Sequence, residues 1–150
     1  MAEIAVVGTG YVGLTSGACF SHLGHRVVCI DNVAPKVEAL KQARIPIVED
    51  GLEDLVRAGL ANRRLDFTTD LEAGVSSADY VFLCLPTPDL PDGSVDLSYV
   101  DAIAGQIGPW LRSSTVVVNK STVPVGTTRR VAGLLGRNDV FVVSNPEFLR

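Results

Sequence analysis

The sequence predicts an α/β fold, a doubly wound parallel sheet of six strands with helices on both faces. Three observations predict it. Short runs rich in Val and Ile alternate with helical patterns along the whole chain. The connections between them are short. The first strand-like run, Ile4-Ala5-Val6-Val7, ends in a glycine-rich turn, Gly8-Thr9-Gly10-Tyr11-Val12-Gly13, that opens a helix.

The strands are expected at Ile4–Val7, Val27–Ile30, more weakly at Asp66–Thr68, then at Tyr80–Leu85, Thr115–Val118 and Val140–Val143. Their continuous apolar character suits strands covered on both faces. Between them, Val33, Val37 and Leu40 recur at helical spacing, as do Leu52, Leu55 and Val56, and again Val100, Ile103, Ala104 and Ile107. Asp96 or Ser98 suits the cap of the last of these helices, and Gly108-Pro109 its stop. Pro124 fits the first turn of a further helix, and Gly136 its end. Six strands in two halves give the order 3-2-1-4-5-6, with a ligand crevice at the carboxyl ends of strands 1 and 4. One irregular stretch, Pro86–Ser94, holds three prolines and an Asp-Gly turn signal. It follows a strand's carboxyl end, where ligand loops belong, and reads also as a plain connection.

The glycine turn has the spacing G-x-G-x-x-G. Gly8 permits the tight turn out of the strand, Gly10 leaves room for a pyrophosphate against the backbone, and Gly13 lets the helix approach the sheet. The N–H groups of the helix's first turn, Tyr11 and Val12 among them, then face the phosphates. Eighteen residues past Gly13, Asp31 ends the second strand-like run. A carboxylate there accepts from the ribose hydroxyls of an adenosine and disfavours a 2′-phosphate, so the expected cofactor is NAD rather than NADP. No Arg follows Asp31; Lys36, one helical turn on, either approaches the ribose or phosphate or is a solvated surface lysine. FAD-binding folds share the glycine turn, which by itself leaves the cofactor class open.

The chain's 150 residues suit one domain, 1–150, and its apolar fraction of 47% with 20% charged residues is that of a globular protein. A formal charge of −4 provides no basic surface for nucleic acid. No apolar stretch is long enough to span a bilayer, and the first strand begins without a basic leader, so neither membrane nor secretion is expected. Cys19, Cys29 and Cys84 lack metal-ligand spacing; they are expected as inert core thiols in a cytoplasmic protein, with no metal bound.

Later segments add a resemblance. Pro46-Ile47-Val48-Glu49-Asp50-Gly51-Leu52, Leu85-Pro86-Thr87-Pro88, Asp92-Gly93-Ser94-Val95-Asp96-Leu97-Ser98, Ser121-Thr122-Val123-Pro124-Val125-Gly126-Thr127 and Asn145-Pro146-Glu147-Phe148-Leu149-Arg150 together resemble the nucleotide-sugar 6-dehydrogenases, such as UDP-glucose and GDP-mannose dehydrogenases. Asp50 departs from the family's usual Pro, in a surface turn. The resemblance covers the whole chain but only the family's N-terminal NAD domain. It implies two successive NAD-linked oxidations of a sugar C6 alcohol to a carboxylate, through a cysteine-bound thioester that water hydrolyses.

By that resemblance, Gly8, Gly10, Tyr11, Val12, Gly13, Asp31, Lys36, Pro86, Thr87 and Thr122 form the cofactor site. Thr122 and Glu147 match the family's water-positioning and acid–base pair, and Glu147, Phe148, Leu149 and Arg150 begin the substrate-binding segment. A hydroxyl that holds water beside a carboxylate is a sound arrangement for hydrolysis. Thr122 is alternatively a helix cap, and Glu147 a solvated acid at a strand end. The family's nucleophilic cysteine and sugar contacts lie in a further half. The chain is therefore expected to be a fragment that binds cofactor without turnover, monomeric or weakly self-associating, of a parent that is a homodimer or larger. A stand-alone dinucleotide-binding or sensing domain is the alternative. Hydroxyacyl-CoA and 6-phosphogluconate dehydrogenases are disfavoured by Ser121–Thr127.

Overall fold

The structure is a computed structural model and describes residues 1–147. Six parallel strands, β1 (Glu3–Val7), β2 (Arg26–Ile30), β3 (Leu65–Thr68), β4 (Tyr80–Leu83), β5 (Val116–Asn119) and β6 (Phe141–Ser144), form one sheet in the order β3-β2-β1-β4-β5-β6. Both the strand set and the order agree with the sequence reading. The helices are α1 (Tyr11–His22), α2 (Ala34–Lys41), α3 (Leu52–Ala61), α4 (Leu71–Val75), α5 (Ser98–Ile107) and α6 (Thr127–Leu135).

Strand alternation divides the core into two layers. Ala5, Val7, Val81, Leu83 and Val117 face α5 and α6, where they meet Val100, Ala104, Ile107, Val131 and Leu135. Ile4, Val6, Val27 and Cys29 face the other side, against Leu14 and Ala18 of α1, Val37 and Leu40 of α2, and Leu52 and Val56 of α3. Each fully buried Leu, Ile or Val contributes on the order of 1.5–3 kcal/mol. The register aligns Tyr80, Val116 and Phe141 across β4, β5 and β6, and Tyr80, Phe141 and Val143 are left exposed.

Three local expectations change. β4 stops at Leu83 rather than Leu85, because the Leu85 N–H and C=O both bond the Ser121 hydroxyl instead of a strand. The helix expected from Pro124 starts at Thr127: Gly126 takes φ +93°, and Pro124–Thr127 forms a turn in which the Thr127 N–H donates to the Pro124 carbonyl at 3.2 Å. Such a left-handed residue at the third turn position ends any helix begun earlier. Gly108-Pro109 stops α5 at Ile107, as expected, and a 3₁₀ turn, Gly108–Trp110, follows it. Cys19, expected in the core, is exposed on the outer side of α1, while Cys29 is buried and Cys84 half-buried. Gly136 ends α6 in the left-handed conformation, as expected. α4 was not foreseen; it is five residues long, too short for periodicity, and is started by the Asp70 side chain accepting from the Ala73 N–H at 2.9 Å.

Candidate cofactor cleft

A cleft of about 910 Å³ opens at the carboxyl ends of β1 and β4. That is the point where the strand order reverses, and it falls there because no crossover covers the sheet where chain direction changes side. The glycine turn forms its floor. Gly8 holds φ +98°, a conformation that favours glycine, and its N–H donates to the Ile30 carbonyl at 2.8 Å. A Cβ on Gly13 would overlap the Gly8 carbonyl oxygen and lie 3.1 Å from the Cys84 Cβ, so the start of α1 comes this close to the turn and to Cys84 because residue 13 is glycine. Gly10 differs from both: a Cβ there would meet nothing within 4 Å. Its space opens into the cleft, beside Tyr11 and Val12.

Asp31 anchors one wall. Its Oδ2 accepts from the Thr9 N–H (3.1 Å), the Thr9 hydroxyl (2.6 Å) and Lys36 Nζ (2.7 Å), and its Oδ1 from the Val33 N–H (3.1 Å). Burial works against the charge, yet these donors outweigh it and hold the carboxyl well below the usual range, at about 2. Lys36 is therefore an ion-pair partner of Asp31, not a free surface lysine.

The opposite wall consists of the segments after β4 and β5. The Ser121 hydroxyl donates to the Leu85 carbonyl (2.7 Å) and accepts from its N–H (3.1 Å). The Thr87 hydroxyl donates to the Thr122 carbonyl at 3.0 Å. Pro86, Thr87, Thr122 and Glu147 all line the cleft. Thr122 lies five residues before α6 and so does not cap it; its own hydroxyl makes no hydrogen bond among the described residues. Glu147 is not simply solvated: its Oε2 pairs with Lys120 Nζ at 2.9 Å.

The NAD binding domain of the UDP-glucose/GDP-mannose dehydrogenase family matches residues 2–150. The chain belongs to that family. It is 50% identical to a UDP-glucose 6-dehydrogenase of Rhizobium meliloti, over 99% of this chain and 35% of that protein. It is 47% identical to the UDP-glucose 6-dehydrogenase TuaD of Bacillus subtilis, over 100% of this chain and 34% of that protein. A UDP-glucose dehydrogenase structure from Pyrobaculum islandicum superimposes with a TM-score of 0.90 at 44% identity, over 100% of this chain and 37% of that one. The chain thus spans about a third of the length of these relatives.

Of the residues that the UDP-glucose/GDP-mannose dehydrogenase resemblance singles out, the structure brings Gly8, Gly10, Tyr11, Val12, Asp31, Lys36, Pro86, Thr87, Thr122 and Glu147 to one cleft. Gly13 supports it from below. Phe148, Leu149 and Arg150 lie outside the described residues. Sequence reasoning missed five contributors. Lys120 and Ser121 follow β5 directly; a charged residue at the carboxyl end of an apolar strand was the available signal. Tyr99, Ile103 and Gln106 of α5 also line the cleft, a role their helical spacing did not betray. Cys84 also lines the cleft, but burial pushes its thiol up to about 12, against the pull of Lys120. Cys29 is buried and its thiol raised further still. Among the described residues no group of three or more His, Cys, Asp or Glu gathers as a metal site. No helix among them is long and apolar enough to cross a membrane.

Proposed function

We propose that this chain is the NAD-binding half of a nucleotide-sugar 6-dehydrogenase, of the kind that oxidises UDP-glucose at C6 in two NAD-dependent steps. The observation that carries the reading is the pairing, in one cleft, of open space at Gly10 with the anchored carboxylate of Asp31. The first suits a pyrophosphate against the backbone, and the second suits a ribose diol. Tyr11 and Val12 would bring N–H groups to the phosphates, and Asp31 and Lys36 would meet the adenosine ribose. When bound, NAD would supply the hydride acceptor.

Thr122 and Glu147 would serve the last step, hydrolysis of a thioester. The water oxygen adds to the acyl carbon, one water proton passes to the Glu147 carboxylate, and the carbon–sulfur bond breaks with its electron pair on the thiolate. The product is a carboxylic acid. The thiolate would come from the further half of the protein, because Cys84, the thiol in this cleft, is held protonated by burial. The chain on its own is therefore read as a cofactor-binding module, in a cytoplasmic, oligomeric parent that takes a nucleotide sugar.

Calorimetric titration tests the cofactor. NAD should bind more tightly than NADP, and Asp31→Ala should narrow the difference. Equal affinity in the unaltered chain would refute the reading.

A further inference from the structure

Lys120 is the charged group in the cleft that the preceding reading leaves without a task. It is the first residue past β5, and its N–H donates to the Leu83 carbonyl at 3.0 Å, which fixes its backbone. Strand alternation turns Asn119 away and brings Lys120 to the side of the sheet where Cys84 lies. The Lys120 side chain is only 14% exposed. A lysine so deeply placed needs a partner for its charge. It has two: Glu147 Oε2 at 2.9 Å and the Asn145 side-chain oxygen at 3.3 Å. Asn145 is itself fixed, because its N–H donates to the Asn119 carbonyl at 2.9 Å and adds one rung beyond β6.

Glu147 is less well supported. It lies three residues past β6, and among the described residues its carboxylate has no partner but Lys120. A glutamate has three side-chain torsions to restrain, and a base must be held close to one geometry to act. The ammonium engages one oxygen, Oε2, and leaves Oε1 to accept a proton.

We propose that Lys120 is a positioning residue: it holds the Glu147 carboxylate against the β5 end of the cleft, so that Oε1 is presented to the water that hydrolyses the thioester. This rests on the reading of Glu147 as the base of that step. The Lys120 charge acts through Glu147, the group it pairs with at 2.9 Å.

The test compares Lys120→Met, Lys120→Arg and Glu147→Gln in the full-length protein, by rapid-quench NADH measurement and intact-protein mass. Lys120→Met should retain the initial NADH burst and the KM for the sugar. Its steady-state kcat should fall about 10- to 100-fold, with an acyl adduct on the protein. Lys120→Arg, which keeps a cation at that position, should recover most of the rate. A normal steady state in Lys120→Met, a burst lost in proportion to kcat, or no recovery by Lys120→Arg would each overturn the proposal. If Glu147→Gln accumulates no adduct either, the reading of Glu147 falls and this proposal falls with it. If only Lys120→Met lacks it, the positioning role alone is wrong.

Discussion

Two glycines of the same turn should fail in opposite ways. Gly10 takes φ −70° and ψ −170°, ordinary extended backbone, and a Cβ there meets nothing within 4 Å. Gly10→Val therefore costs only what a poorer residue at the start of α1 costs, about 0.5–1 kcal/mol. In a domain of this size that is a fall in Tm of about 1–4 °C. Its branched side chain fills the space assigned to the pyrophosphate, and NAD affinity should drop at least about 100-fold, or about 2.7 kcal/mol. Gly13→Ala meets the Gly8 carbonyl and the Cys84 side chain instead, neither of which is a flexible tip. Overpacking against backbone should cost about 3 kcal/mol and lower Tm by about 6–12 °C. Differential scanning calorimetry and isothermal titration of the two variants separate the effects. Gly10→Val with wild-type affinity, or Gly13→Ala with wild-type Tm, would refute the assignment of the two roles.

Three further outcomes are expected. Folding depresses the Asp31 carboxyl to about 2, so its stabilising contribution is complete above the unfolded value near 4 and disappears as pH falls toward 2; Asp31→Asn should cost about 1–2 kcal/mol at neutral pH, and thermal melts at falling pH should show the gap to wild type closing in that window. Ser121→Ala leaves both polar groups of Leu85 without their partner and should cost about 1–3 kcal/mol, read by denaturant melts, with weaker NAD binding as the β4 segment loosens. The 150-residue chain alone should bind NAD yet form no NADH from UDP-glucose or GDP-mannose at high protein concentration in an absorbance assay; turnover would mean that Cys19, Cys29 or Cys84 serves as nucleophile after all.

The fold was legible because its signals are local and repeated. Val- and Ile-rich runs of strand length, separated by short connections, dictate six parallel strands, and the glycine turn fixes where the winding begins. Boundaries were less legible where side chains from distant segments decide them. β4 ends early because Ser121, thirty-six residues away from Leu85, takes both of its backbone groups. α6 starts late because Gly126 adopts a left-handed conformation that no periodicity announces. The glycine side of the cleft is contiguous in sequence, so its residues could be read directly. The Lys120–Glu147 pair joins the ends of two neighbouring strands, and only the pairing of β5 with β6 brings them together. Cys19 was misread because α1 is apolar nearly all round, which hides its outward face from a pattern argument.

The contact between Asp31 and Lys36 bears on how such a cleft tells one dinucleotide from another. A lone carboxylate would act on a 2′-phosphate as a monopole, through a field that reaches about 8 Å in physiological salt and shrinks as salt is added. With an ammonium 2.7 Å away, the pair is neutral overall and presents a dipole, whose influence dies away within the first contact shell. Three donors crowd Oδ2 while Oδ1 holds only the Val33 N–H, so a ribose hydroxyl has one place left, at Oδ1. Selection is then a matter of which oxygen is admitted to a crowded acceptor, and ionic strength has little hold over it.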